Sequence, residues 1–229
     1  MPVTSTSDTL TGQAATLPPA LDAELIERAT AHLRAADPVL ARAIDAAGPC
    51  RLGRAPDLFA ALVDAIISQQ LSIKAAATIL DRLKALYAPA PFPAPADLLA
   101  TPDERLRAAG CSRAKVVSLK DLCARLAGGT LDLEPLRRLP DDEVVRALVA
   151  VKGIGRWTAE MVLIFALGRP DVWPVDDLGL VSAVQGLYAL PARPARPALL
   201  ALGERWRPYR TVASWYLWQS RRLVLGRSW

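Results

Sequence analysis

The segment Leu148-Val149-Ala150-Val151-Lys152-Gly153-Ile154-Gly155-Arg156-Trp157-Thr158-Ala159 sets two glycines around one isoleucine, between two stretches of helical apolar spacing. The first stretch opens at Pro140-Asp141-Asp142-Glu143 and carries Val144, Val145, Leu148 and Val149; the second runs to Gly168. Two glycines around one apolar residue permit positive φ and let another backbone approach closely. The chain therefore turns back from one helix into the next with the isoleucine buried. The helix that follows offers unpaired N–H groups and a positive dipole end, which suit a phosphate. Such a hairpin grips DNA by its backbone without reading sequence. A tight turn in an ordinary helical protein has the same pattern, so the turn alone leaves both readings open.

The rest of the chain is helical in pattern as well. Leu21, Leu25, Ile26, Ala29 and Leu33 predict a helix after Pro18-Pro19. Leu58, Leu62, Ala65 and Ile66 predict another, and Ser72 is placed to cap a third through Ile73, Ala76, Ala77, Leu80 and Tyr87. The stretch from Ala88 to Ala96 has four prolines and reads as a stiff connector. Thr101-Pro102-Asp103-Glu104 has the form of a capping box, and Ser112 is placed to cap a helix that stops at Gly128-Gly129. The run from Pro191 reads as a connector, and Pro208 is placed to begin a terminal helix through Val212, Trp215 and Trp218. No alternating strand is visible, with Val172 to Val175 only an extended link, so the expected class is all-α. Residues 1–17 are expected to form a flexible tail.

Composition narrows the chemistry. With 229 residues, 52% hydrophobic and 22% charged, the chain has globular rather than disordered character and enough length for one domain or two small lobes. Its longest tightly apolar stretch, Met161 to Leu167, falls far short of the ~20 residues that span a bilayer. No membrane association is expected, and Met1 to Thr16 has no signal-peptide pattern, so a cytoplasmic location follows by default. One histidine, His32, excludes multi-histidine metal sites and reads as a helix-surface residue. Cys50, Cys111 and Cys123 have neither metal-ligand nor disulfide spacing and read as free, buried thiols. A net charge of +5 suits a polyanionic partner without requiring one.

Taken with Trp173-Pro174-Val175-Asp176-Asp177-Leu178-Gly179-Leu180, the hairpin resembles the helix-hairpin-helix (HhH-GPD) superfamily of DNA glycosylases, and within it the DNA-3-methyladenine glycosylase II group. The resemblance runs from about Phe59 to the C-terminus. It implies two helical lobes with a cleft between them: residues 18–58 plus 176–229 in one, 59–175 in the other, and the hairpin at about 141–168. It further implies a compact form without the N-terminal β-rich domain of some relatives. The family's catalytic aspartate maps onto Asp177, because Pro-Val-x-Asp-Leu-Gly fixes the register. From the residues alone, Asp176 or Asp177 also suits the cap of a helix beginning at Leu178.

The implied activity is that of a monofunctional glycosylase of base excision repair. It flips alkylated purines of the 3-methyladenine and 7-methylguanine type out of duplex DNA and hydrolyses the N-glycosidic bond. By resemblance, Trp157, Trp218 and Met161 line the base pocket; Met161 departs from the tyrosine of some relatives. An electron-rich indole face favours a cationic purine by a cation–π contribution of roughly 0.5–2 kcal/mol. Gln70 and Leu71 match the gap-filling wedge, although Leu71 would otherwise read as core. The hairpin residues Lys152, Gly153, Ile154, Gly155 and Thr158 are the expected DNA-backbone contacts. Ser112, Arg113 and Lys115 are a second set, for which a solvated helix start is the plain alternative. Relatives that also cut the strand carry a lysine where Trp157 stands, and no cysteine follows Cys123 to hold an iron–sulfur cluster. The expected partner is double-stranded DNA containing damaged bases, bound by a monomer with no metal or organic cofactor. The resemblance allows a monovalent cation on hairpin carbonyls, which the residues themselves do not show. Two rival readings are a non-catalytic hairpin DNA-binding module and a glycosylase with lyase activity on oxidised bases.

Overall fold

The computed structural model describes residues 20–225 other than 54 and 56; the tail expected over 1–17 and the prolines at 18 and 19 lie outside them. Among the described residues there are thirteen helices and no strand. Asp22 caps α1 (Ala23–Ala36) by accepting the Leu25 N–H at 2.7 Å. Asp37 then closes α1 and caps α2 (Pro38–Ala47), whose first position is taken by a proline that has no N–H to leave unpaired. α2 is not among the expected helices, although Asp37-Pro38 is a start signal.

Helix α3 (Leu58–Ser68) buries Leu58, Phe59, Leu62, Val63, Ile66 and Ile67, because neighbours cover it on several sides. α4 (Ile73–Ala85) starts at Ser72 as expected. The proline-rich connector ends in α5 (Pro95–Ala100), begun by its last proline. Thr101 corrects an expectation. It closes α5 instead of capping α6 (Asp103–Ala108), because its hydroxyl donates back to the Asp97 carbonyl and lies 2.7 Å from the Tyr87 hydroxyl. α7 (Arg113–Ala127) begins at Ser112, and the short α8 (Leu133–Leu136) leads to the hairpin helices α9 (Asp141–Val149) and α10 (Arg156–Phe165). After the extended link come α11 (Leu178–Leu187), α12 (Arg196–Glu204) and α13 (Arg210–Leu225). The proline-rich run from Pro191 is thus only partly a connector, since Pro197 stands in the first turn of α12.

Buried apolar side chains form two clusters. One gathers Leu62, Ile66, Leu119, Leu148 and Ile164 from α3, α7, α9 and α10. The other gathers Leu33, Leu40, Val184, Tyr216 and Leu217 from α1, α2, α11 and α13. Trp215 and Trp218 pack against both. Each such fully buried side chain contributes roughly 1.5–3 kcal/mol. Arg169, 2% exposed, pairs with Asp141 at 3.3 Å and donates to the carbonyls of Leu136, Arg137 and Leu139. It thereby fastens the start of α9 to the chain just beyond α10, holding the hairpin from behind. His32 is half-buried with its ring edge-on to Tyr209 at 5.3 Å, so it is a packing residue rather than a surface one. The three thiols are free; burial pushes those of Cys50 and Cys123 up to about 11. No helix among the described residues is long and apolar enough to cross a membrane.

Candidate active site

The two hairpin glycines have different reasons to be glycine. Gly153 has φ 78°, and a Cβ there would lie 2.1 Å from the Ser118 hydroxyl oxygen on α7. Gly155 is extended, with φ −89° and ψ 173°, and a Cβ there would meet nothing within 4 Å. The positive φ expected of the turn therefore belongs to Gly153 alone, while Gly155 leaves open space before α10. No side chain caps α10, so its first-turn N–H groups remain for a ligand. Ile154 is buried at 4% exposure and anchors the turn. The Lys152 N–H is taken by Asp121 of α7 at 2.9 Å, and this bond, with a second from Arg125, holds the Asp121 carboxyl below the usual carboxylate range.

Asp177 is where three elements converge. Its Oδ1 accepts the Leu180 N–H at 2.6 Å, which caps α11, and the indole N–H of Trp218 from α13 at 3.0 Å. Its Oδ2 accepts the indole N–H of Trp157 from α10 at 2.8 Å. Capping and facing the cleft are thus combined in one aspartate, while Asp176 is exposed and paired with Arg196 at 3.3 Å. Gly179 opens the room: a Cβ there would lie 3.1 Å from Asp177 Oδ1 and 3.7 Å from Trp218 Cδ1. Beside this knot, Trp157, Met161 and Phe165 of α10 face Ala61, Asp64 and Ser68 of α3 across a cavity of about 300 Å³. Phe165, not among the expected pocket residues, stacks on Trp218 with centroids 5.9 Å apart. Its signal was its place two turns beyond Trp157 on the same helix.

A family model described as HhH-GPD superfamily base excision DNA repair protein matches residues 63–208. The chain belongs to that superfamily. It is 36% identical over 203 residues to DNA-3-methyladenine glycosylase 1 of Schizosaccharomyces pombe, an alignment that covers 87% of this chain and 89% of the relative. Among solved structures, the S. pombe 3-methyladenine DNA glycosylase in complex with abasic DNA superposes with a TM-score of 0.78 at 37% identity, covering 83% of this chain and 95% of that one. The DNA-3-methyladenine glycosidase of Bacillus halodurans gives 0.76 at 37% identity, covering 87% and 91%.

Within this HhH-GPD fold, the Gln70-Leu71 turn lies between α3 and α4. Gln70 is left-handed at φ 58°, and Leu71 is 39% exposed beside Ile73 at 60%. Two of the residues expected to contact the DNA backbone have their side chains engaged within the protein. Thr158 is buried, and its hydroxyl accepts from the Gln69 amide at 3.1 Å, because the first turn of α10 packs against the end of α3. Lys115 is half-buried and donates to the carbonyls of Ile67 and Gln69, each at 2.7 Å. Burial holds its ammonium below the usual range. Ser112 caps α7 through the Lys115 N–H at 3.3 Å, and Arg113 is exposed. Sequence reasoning missed Gln69, Ser118 and Asp121, whose roles depend on contacts across helices. Among the described residues no group of three or more His, Cys, Asp or Glu is gathered to hold a metal ion.

Proposed function

We propose that this chain is a monofunctional DNA glycosylase that, as a monomer, removes alkylated purines from double-stranded DNA, with Asp177 as the catalytic carboxylate. The observation that carries the reading is Asp177 held by the indole N–H groups of Trp157 and Trp218, with Trp157 also lining the cavity beside Met161 and Phe165. An open hairpin–helix end lies on the same helix as Trp157. The α10 N–H groups and the Gly155 backbone hold phosphate, and the exposed Lys152 side chain adds charge. Leu71 fills the space that the extruded nucleotide leaves. The purine then enters beside Trp157, Met161 and Phe165.

As the glycosidic C–N bond breaks, its electron pair leaves with the purine and positive charge grows on the sugar. A carboxylate beside the sugar stabilises that charge more in the transition state than in the ground state. Water attacks C1′ and gives up a proton, which Asp177 can accept. An alkylated purine leaves as a neutral base, so no general acid is needed. Among the described residues that line the cavity there is no lysine to attack the sugar, so the reaction ends at an abasic site with the strand intact. A monovalent cation at the hairpin would rest on backbone carbonyls. That of Gly153 already accepts from Gln69 and that of Val151 from the Ile154 N–H, and no step requires the ion.

The test is chromatographic detection of free bases from methylated duplex DNA. Release of methylpurines by the wild type and its loss in Asp177→Asn support the reading. Duplex binding without release by either protein would leave a non-catalytic hairpin module instead.

A further inference from the structure

We propose that Gln69 and Lys115 are positioning residues that lock the Gln70-Leu71 turn to the hairpin, so that backbone grip and gap filling act on DNA as one rigid piece. The inference rests on the reading of Leu71 as the gap-filling residue. The turn is poorly held by its own backbone. Gln70 sits in the left-handed region at φ 58°, which disfavours a non-glycine residue, and the local bond from Leu71 N–H to the Ser68 carbonyl is 3.2 Å long.

Two side chains from elsewhere supply the support. The Lys115 ammonium spans the Ile67 and Gln69 carbonyls at the C-terminal end of α3, where the helix leaves carbonyls unpaired and its dipole is negative. The Gln69 amide spans the hairpin, donating to the Gly153 carbonyl at 2.9 Å and to the Thr158 hydroxyl at 3.1 Å. Helix α7 is the common rail. Lys115, Ser118 and Asp121 follow one another at intervals of three along it, a spacing that keeps neighbours on one side of a helix. They meet in turn the wedge turn, Gly153 and the Lys152 N–H. The distance from the gripped phosphates to the tip of Leu71 is thereby fixed, and binding energy gained at the hairpin is applied to insertion at the lesion.

The experiment reads insertion without chemistry. A duplex carries 2-aminopurine beside a tetrahydrofuran abasic-site analogue, and insertion of the wedge unstacks the probe and raises its fluorescence. Gln69→Ala and Lys115→Met are expected to lower the amplitude toward that of Leu71→Ala. Their affinity for undamaged duplex and its salt slope should stay within about twofold of wild type. Lys115→Arg, which can still span two carbonyls, restores most of the amplitude. Adding either brace variant to Leu71→Ala brings no further loss, because the brace acts only through the wedge. The proposal is overturned by an unchanged amplitude, by losses that multiply with Leu71→Ala, or by a parallel fall in affinity for undamaged DNA. Should Gln69→Ala melt early, Gln69→Met keeps the length while removing the donor to the Gly153 carbonyl without adding charge, and the same outcomes apply. Methylpurine release is followed in parallel. A wild type that inserts its wedge and releases no base would sink the glycosylase reading and leave the brace standing.

Discussion

Asp37 and Asp177 are assembled from the same parts. Each caps a helix through Oδ1, and each receives a tryptophan N–H on Oδ2: Trp206 on Asp37 at 3.1 Å and Trp157 on Asp177 at 2.8 Å. Their surroundings differ. Asp37 is 1% exposed and also accepts the Tyr188 hydroxyl at 2.6 Å, so the turn between α1 and α2 is tied to the ends of α11 and α12. Burial raises its pKa, but the bonds from Tyr188, the Leu40 N–H, Trp206 and the Val39 N–H outweigh it and hold the carboxyl below its ordinary 3.8. Asp177 is only half-buried, beside Trp157 at 40% and Leu178 at 68% exposure. One arrangement of cap and indole is closed and holds the fold. The other is open and can meet a substrate.

Kinetics and stability should therefore separate at the two sites. The largest effect is expected from Asp177→Asn, which lowers single-turnover base release by about a hundredfold or more. Its melting temperature should barely move, since asparagine is also a good cap. A variant that keeps near-wild-type release would break the contrast. Asp37→Asn should do the opposite, costing about 2 kcal/mol in urea denaturation with the release rate per folded molecule unchanged. Acid titration sharpens the point. A carboxyl whose native pKa is depressed contributes stability above its unfolded value and loses it as pH falls through the native one. The stability gap between wild type and Asp37→Asn should accordingly close as pH drops below 3.8; a constant gap would mean that the charge of Asp37 is not what its network holds. The smallest effects come from single donors. Tyr188→Phe should cost about 1 kcal/mol with no kinetic change, and Trp157→Phe should slow release by only about threefold while stability stays put. Equal effects of the two on melting would blur the distinction.

Local signals were legible where a residue acts on its own helix. Ser72 and Ser112 cap the helices that their positions announce. Thr101 had an equally good local pattern, yet its hydroxyl went to Asp97 and Tyr87, because a half-buried phenol took it as a partner that no spacing reveals. Lys115 read as a phosphate ligand from its place at a helix start, and packing against the end of α3 turned it inward. The two hairpin glycines look alike in sequence; the fold tells them apart through the positive φ of Gly153 and its contact with Ser118.

The order of residues alone thus determined an all-helical chain, a hairpin with a buried isoleucine, and an aspartate at a helix start behind it. These follow from periodicity and caps, which act within a few residues. Tertiary structure decided which groups surround that aspartate, since its indole donors lie 20 and 41 residues away. It also decided that Asp37 would be sealed and Asp177 left open. Burial depends on how helices pack against one another, and no window of sequence contains both sides of that contact.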